Sequence, residues 1–141
     1  MKVGILQCDE VLEKLQPQFG NYIDMIRDMF AGVDGKLQFD VFNCKKQELP
    51  GKIADYDFFI TTGSRYSVYD PEDWIITLID FIKELDRQKA KLIGICFGHQ
   101  LIAMALGCSV ENSGKGWGVG IAQNRVISSP AWIKENCDQL N

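Results

Sequence analysis

Seven consecutive residues, Gly94-Ile95-Cys96-Phe97-Gly98-His99-Gln100, set a thiol between two glycines, one two positions before it and one two positions after. That spacing suits a nucleophile elbow: a strand turning abruptly into a helix leaves no room for side chains at those positions, and the central residue is thrown to the apex. A thiol at such an apex lies at a helix N-terminus, whose dipole and free N–H groups favour thiolate. The Phe97 N–H is then well placed as an oxyanion donor, and the chemistry on offer is nucleophilic attack with a covalent intermediate. A free cysteine is also often a small buried hydrophobe. The flanking glycines favour the elbow.

An elbow needs a buried strand before it and a helix after it. Lys91–Cys96 (KLIGIC) reads as the strand, and Phe97–Leu106 as the helix, ended by Gly107. Upstream, Lys2–Gln7 (KVGILQ) is expected to be a buried first strand. From Phe19 the apolar positions Tyr22, Met25/Ile26 and Met29/Phe30 mark an amphipathic helix, with Gly32 as its stop. Leu37–Asn43 alternates apolar and polar residues, which places it nearer a sheet edge, whereas the shorter and more apolar Asp57–Thr62 reads as a central strand. Asp70-Pro71-Glu72-Asp73 is a helix start, with Asp70 at the N-cap and Pro71 at the first helical position. The helix it opens carries Trp74, Ile75, Leu78, Ile79, Ile82 and Leu85 on one face as far as Arg87.

This order of elements implies an α/β, three-layer, flavodoxin-like fold, with a mostly parallel central sheet and helices on both faces, because parallel neighbours need crossovers and both faces must be covered. After Gly107 the pattern weakens. Ser109–Asn112 and Gln123–Ser128 are expected as short strands, Gly114–Gly120 as a loop and strand near the site mouth, and Ser129-Pro130 as the start of a capped helix. The three tryptophans, Trp74, Trp117 and Trp132, are expected to pack against core or interface. At 141 residues the chain is expected to be a single domain.

The stretch GICFGHQ resembles the nucleophile motif of class I glutamine amidotransferases, triad-type glutaminases that hydrolyse the glutamine side-chain amide and pass ammonia to a synthetase partner. Two further stretches agree: Thr61-Thr62-Gly63-Ser64 with Ser67-Val68-Tyr69-Asp70, and Gln7-Cys8-Asp9 with Phe19-Gly20-Asn21-Tyr22. Both are similar to the branch that is like the glutaminase part of GMP synthetase, and the likeness runs from Lys2 to about Gly120. The resemblance implies that Cys96 attacks the amide carbon of glutamine or a related γ-glutamyl compound to give a thioester. It makes the backbone N–H groups of Gly63 and Phe97 the oxyanion hole and gives Gln100 a part in holding the substrate. Glycine suits position 63, where the backbone must approach the substrate closely.

The family takes its base and orienting carboxylate from a His-x-Glu pair near the C-terminal end of its domain. The single histidine of this chain is His99, three residues beyond Cys96. In the family's pattern that position is not the base, and His99 is expected to be a packing residue. The chain therefore reads as a C-terminally incomplete domain, inactive alone. The surface that the family's final elements would cover is expected to drive a homodimer or larger assembly, with the segment after Gly107 at or near the interface.

Composition excludes several other classes. Hydrophobic residues make up 46% and charged residues 24%, as in ordinary globular proteins. Fifteen Lys and Arg against nineteen Asp and Glu give a net charge of −4, and no basic run exceeds the pair Lys45-Lys46, so nucleic acid is not an expected partner. The apolar run at the amino terminus is far short of the roughly 7–15 residues of a signal peptide. No stretch reaches the roughly 18 apolar residues of a membrane span, and a cytoplasmic protein is expected. Five cysteines without a CxxC fit neither a disulfide framework nor a zinc site, and no metal or cofactor is expected. Gly114–Gly120 fails the spacing of both GxGxxG and Walker loops, and Gln7-Cys8-Asp9-Glu10 lacks the glycine or hydroxyl cradle of a flavin phosphate site. Three functional classes stay open: a glutaminase completed by a further segment, a non-catalytic binding or regulatory module, and a thiol-reactive, redox-responsive protein using Cys96.

Overall fold

The run KVGILQ forms strand β1 (Lys2–Gln7), which lies between β2 (Gln38–Asn43) and β3 (Phe58–Thr61) in a four-stranded, all-parallel sheet of order β2-β1-β3-β4, closed by β4 (Leu92–Gly94). The computed structural model describes residues 1–33, 35–116 and 118–121, with 124–125 and 139–140. Chain contacts divide it into two compact units, Met1–Glu111 and Asn112–Asn141.

Alternation along the central strands feeds two layers. Val3, Ile5, Phe58 and Ile60 pack with Ile26 of helix α2 (Tyr22–Met29) on one face. On the other, Leu6 and Phe59 pack with Ile75, Leu78 and Ile82 of α3 (Asp73–Arg87) and with Phe97 and Leu101 of α4 (Phe97–Ala105). The architecture is the expected α/β flavodoxin-like one, because a parallel sheet must be covered on both sides. β2 takes the expected edge position and β3 an interior one.

Several element boundaries differ from the sequence reading, each for a local reason. The helix expected from Phe19 is interrupted: a short α1 (Gln16–Phe19) ends at Gly20, whose φ of +71° breaks the helical path. α2 then starts anew from Asn21, capped reciprocally by Asn21 and Asp24. Asp70 does not cap α3. Its carboxylate instead accepts from the Ser67 N–H at 2.8 Å, and the helix begins at Asp73 behind Glu72, which makes no side-chain cap bond. The run Lys91–Cys96, expected to be a buried strand, is extended only over Leu92–Gly94 and lies at the sheet edge, where Ile93 is 43% exposed. Gly107, at φ +87°, ends α4 as expected.

Ser109–Asn112 forms no strand. In the second unit, β5 (Asn124–Arg125) pairs antiparallel with β6 (Gln139–Leu140), so the strand expected over Gln123–Ser128 is present in its Asn124–Arg125 portion. The helix expected at Ser129-Pro130, and Trp117 and Trp132, lie outside the described residues. No described helix is long and apolar enough to cross a membrane.

Candidate active site

The turn from β4 into α4 has the geometry an elbow demands. Cys96, the N-cap of α4, holds φ +51° and ψ −103°, a conformation that costs a non-glycine residue about 1–3 kcal/mol and persists only where surroundings over-determine it. The surroundings do so through the two glycines. A Cβ on Gly94 would lie 2.8 Å from the backbone carbonyl of Gly98, and one on Gly98 would sit 2.6 Å from the Cβ of Thr61 and overlap its hydroxyl. Thr61, fully buried on β3, also accepts the Ile95 N–H at 3.2 Å. The elbow is thereby gripped against the neighbouring strand. Phe97 is buried, whereas the Cys96 residue is exposed.

The loop after β3 comes to the same place. Thr62 donates its N–H to the Leu6 carbonyl at 3.1 Å, and its hydroxyl accepts the Cys8 N–H at 2.9 Å. This fixes the backbone that leads into buried Gly63. A Cβ built on Gly63 would lie 3.8 Å from the Cβ of Cys96, so the two residues are neighbours at the carboxyl ends of β3 and β4. The N–H groups of Gly63 and Phe97 donate to no other described residue. Further along, Ser67 and Asp70 close a turn around buried Val68, with the Asp70 N–H donating to the Ser67 carbonyl at 3.0 Å. Tyr66 stacks edge-on against Trp74 at 5.5 Å, and Trp74 lies 5.6 Å from Phe97, so an aromatic chain ties this loop to the elbow. Trp74 thus packs in the core, as expected.

Gln100 and His99 both stand exposed in the first turn of α4. The expectation that His99 is a packing residue is therefore corrected: the turn points it to solvent, away from the layer that Phe97 and Leu101 fill. No hydrogen bond joins its ring to the Cys96 sulfur; the contact between them is the His99 N–H to the Cys96 carbonyl at 3.0 Å. Among the described residues, no group of three or more His, Cys, Asp or Glu side chains is placed to hold a metal ion.

One cluster escaped the sequence reading. Asp9, immediately beyond β1, has a side chain 3% exposed and receives a two-pronged guanidinium from Arg65, Nε to Oδ2 at 2.7 Å and Nη2 to Oδ1 at 3.2 Å. The Arg65 N–H and the Lys45 ammonium add contacts at 3.2 and 3.4 Å. Burial pushes the Asp9 carboxyl up, but the Arg65 side chain and backbone, the Glu10 N–H and the Lys45 charge outweigh it and hold it at about 2. Asp9 and Arg65 are 56 positions apart. The available signal was an acid directly after a buried parallel strand, at the sheet end where ligands bind.

Residues 19–133 match the family described as glutamine amidotransferase class-I. The chain is 31% identical over 141 residues to gamma-glutamyl peptidase 2 of Arabidopsis thaliana, covering 99% of this chain and 56% of that protein. It is 38% identical over 100 residues to gamma-glutamyl peptidase 4 of the same plant, covering 70% and 39%. The chain thus spans about half the length of such relatives, or less. Among solved structures, a glutamine amidotransferase from Thermotoga maritima superposes with a TM-score of 0.75 at 23% identity, covering 98% of this chain and 57% of that one, a likeness of fold. With the elbow, the loop after β3 and the parallel sheet in place, the family match over most of its length establishes that this chain belongs to the class-I glutamine amidotransferases.

Proposed function

We propose that the chain carries the nucleophile half of a γ-glutamyl amide-cleaving site. The Cys96 thiolate attacks the γ-carbonyl carbon of glutamine or a γ-glutamyl peptide, and the oxyanion of the tetrahedral intermediate is held by the Gly63 and Phe97 N–H groups. Collapse breaks the C–N bond, leaving a γ-glutamyl thioester on Cys96 and releasing ammonia or an amine that has gained a proton. Water then cleaves the thioester to glutamate and regenerates the thiol. Gln100, one turn into α4, holds the substrate. The observation that supports this reading best is the strained backbone of Cys96, held at φ +51° beside Gly63, since strain of this kind gathers at functional sites.

The proton shuttle is the remaining part. Among the described residues His99 is exposed and not hydrogen-bonded to the thiol, so in this reading the base is a group other than His99, the part that the family gives to a His-x-Glu pair. Names of relatives favour γ-glutamyl peptides as substrates; the family at large favours glutamine, with ammonia passed to a synthetase partner. The free thiols Cys8, Cys44, Cys96 and Cys108 suit a reducing compartment such as the cytoplasm. The unengaged His99 also favours a second reading, a module that binds γ-glutamyl compounds without turning them over.

The test measures ammonia release from glutamine by the 141-residue chain, with Cys96→Ala as control. It is paired with protection of Cys96 from iodoacetamide by glutamine. Protection with hydrolysis near background is expected, since loss of one triad member leaves only about 10³–10⁴-fold over water. Absence of protection overturns the thiol assignment, and strong Cys96-dependent turnover overturns the missing base.

A further inference from the structure

The two N–H groups assigned to the oxyanion come from different elements. Gly63 lies in the loop after β3, and Phe97 is the first residue of α4. The last register pair that joins β3 to β4 is Thr61 with Gly94, so the ladder stops before either donor is reached. Gly63 has no side chain by which to be held, and its loop is fixed before it through Thr62 and after it through Arg65 and Tyr66. Donors of an oxyanion hole act over about 2.7–3.1 Å, so the separation of the two has to be set closely.

A third element reaches both segments. Trp74, in the first turn of α3, has its ring centroid 5.5 Å from that of Tyr66 at 83° and 5.6 Å from that of Phe97 at 34°. Both distances fall within the range of about 4.5–7 Å over which aromatic pairs attract. The indole is thus a contact shared by the two segments that carry the donors. Trp74 and Phe97 are both buried. The Trp74 Nε1 is buried too, and no described residue accepts its N–H. A buried donor left unpaired carries its full desolvation cost, which an aliphatic or phenyl side chain in this layer avoids. What the indole supplies in exchange is reach, two fused rings that meet Tyr66 and Phe97 at once.

We propose that Trp74 is a positioning residue for the thiol chemistry, setting the separation of the Gly63 and Phe97 N–H groups through its packing on Tyr66 and Phe97. It acts through those neighbours. A shorter ring leaves Cys96 at the N-terminus of α4, where the elbow sets its nucleophilicity. What the shorter ring releases is the tie between the two donors. Steps that develop an oxyanion therefore slow, and steps that develop none keep their rate. The inference rests on the reading that Gly63 and Phe97 are the oxyanion donors for attack by Cys96.

Two electrophiles test it. p-Nitrophenyl acetate acylates a thiolate through a tetrahedral oxyanion and releases p-nitrophenolate, which needs no general acid, whereas iodoacetamide alkylates by direct displacement of iodide. Peptide mass spectrometry reads both rates at Cys96 and at exposed Cys108, the reference thiol. In the parent chain the ratio of acylation to alkylation is expected to be at least about 10-fold higher at Cys96 than at Cys108. Trp74→Phe is expected to lower the ratio at Cys96 about 10-fold with the iodoacetamide rate unchanged. Tyr66→Leu, a change at a half-buried residue, is expected to do the same and serves as the second variant if Trp74→Phe does not fold by circular dichroism. Trp74→benzothienylalanine keeps two fused rings without the N–H and is expected to retain the parent ratio. An unchanged ratio in the folded variants overturns the positioning role, as does an equal fall in both rates, the mark of a merely structural effect. Loss of the ratio in Trp74→benzothienylalanine also overturns it, because the effect then belongs to the N–H. A parent ratio at Cys96 no higher than at Cys108 overturns the oxyanion-hole reading itself, and the inference falls with it.

Discussion

The Asp9 cluster makes a pH-dependent contribution to stability that a single substitution isolates. In the folded protein burial raises its carboxyl, but Arg65, the Glu10 N–H and Lys45 together favour the ionised form more and hold it at about 2, against an ordinary value of 3.8. The lowered value means that the contribution is complete above pH 3.8 and is lost as the pH falls through about 2. At about 1.4 kcal/mol per pH unit, it amounts to about 2 kcal/mol near neutrality, and about half has gone by pH 3. Asp9→Asn keeps the shape and removes the titration. The assay is urea denaturation of both proteins, followed by far-ultraviolet circular dichroism between pH 6 and pH 2.5. Glu84, held at about 2 by Arg87 and Gln88, is the same in both proteins and cancels in the difference. The stability gap between the parent and Asp9→Asn is expected to shrink by about 1.5 kcal/mol across that range. A gap constant within about 0.5 kcal/mol, the level at which independent substitutions add, refutes the pairing as the source of the shift.

Gly98→Ala drives a methyl into Thr61 and is expected to cost about 1–3 kcal/mol or more, lowering the urea midpoint. Gly51→Ala, with nothing within 4 Å of the added carbon, serves as the neutral control, and equal midpoints for the two variants contradict the elbow geometry. Among the cysteines, Cys96 is expected to be alkylated fastest near neutral pH, ahead of exposed Cys108, because it lies at a helix N-terminus. Buried Cys44, whose thiol is pushed up by its hydrogen bond with Cys8 and by burial, is expected to be inert, and faster labelling of Cys108 or Cys44 by mass spectrometry refutes this order. Among the described residues β4 ends the four-stranded sheet with one side unpaired, so the chain is expected to form a homodimer or larger assembly. A monomeric mass by light scattering at high concentration, with a cooperative melt, opposes this.

What the sequence by itself determined were the features whose physics is local. The alternation and apolar runs of β1 to β3 specify extended segments, the stripe from Trp74 to Leu85 specifies α3, and glycines at 94 and 98 specify a sharp turn with Cys96 at its apex. Each depends on residues within a few positions of one another, so periodicity and side-chain size suffice. Only the tertiary structure decided which groups meet across strands. Gly98 owes its necessity to Thr61 on a neighbouring strand, and Asp70 is taken from its helix by the Ser67 N–H. Ile93 is exposed because its strand lies at the sheet edge, although its apolar run reads like that of a buried one. Asp9 and Arg65 are brought together by the parallel pairing of β1 with β3, which sets the ends of both strands side by side. Neither composition nor spacing encodes such a meeting, because it depends on strand order, and strand order is set by the packing of the whole sheet.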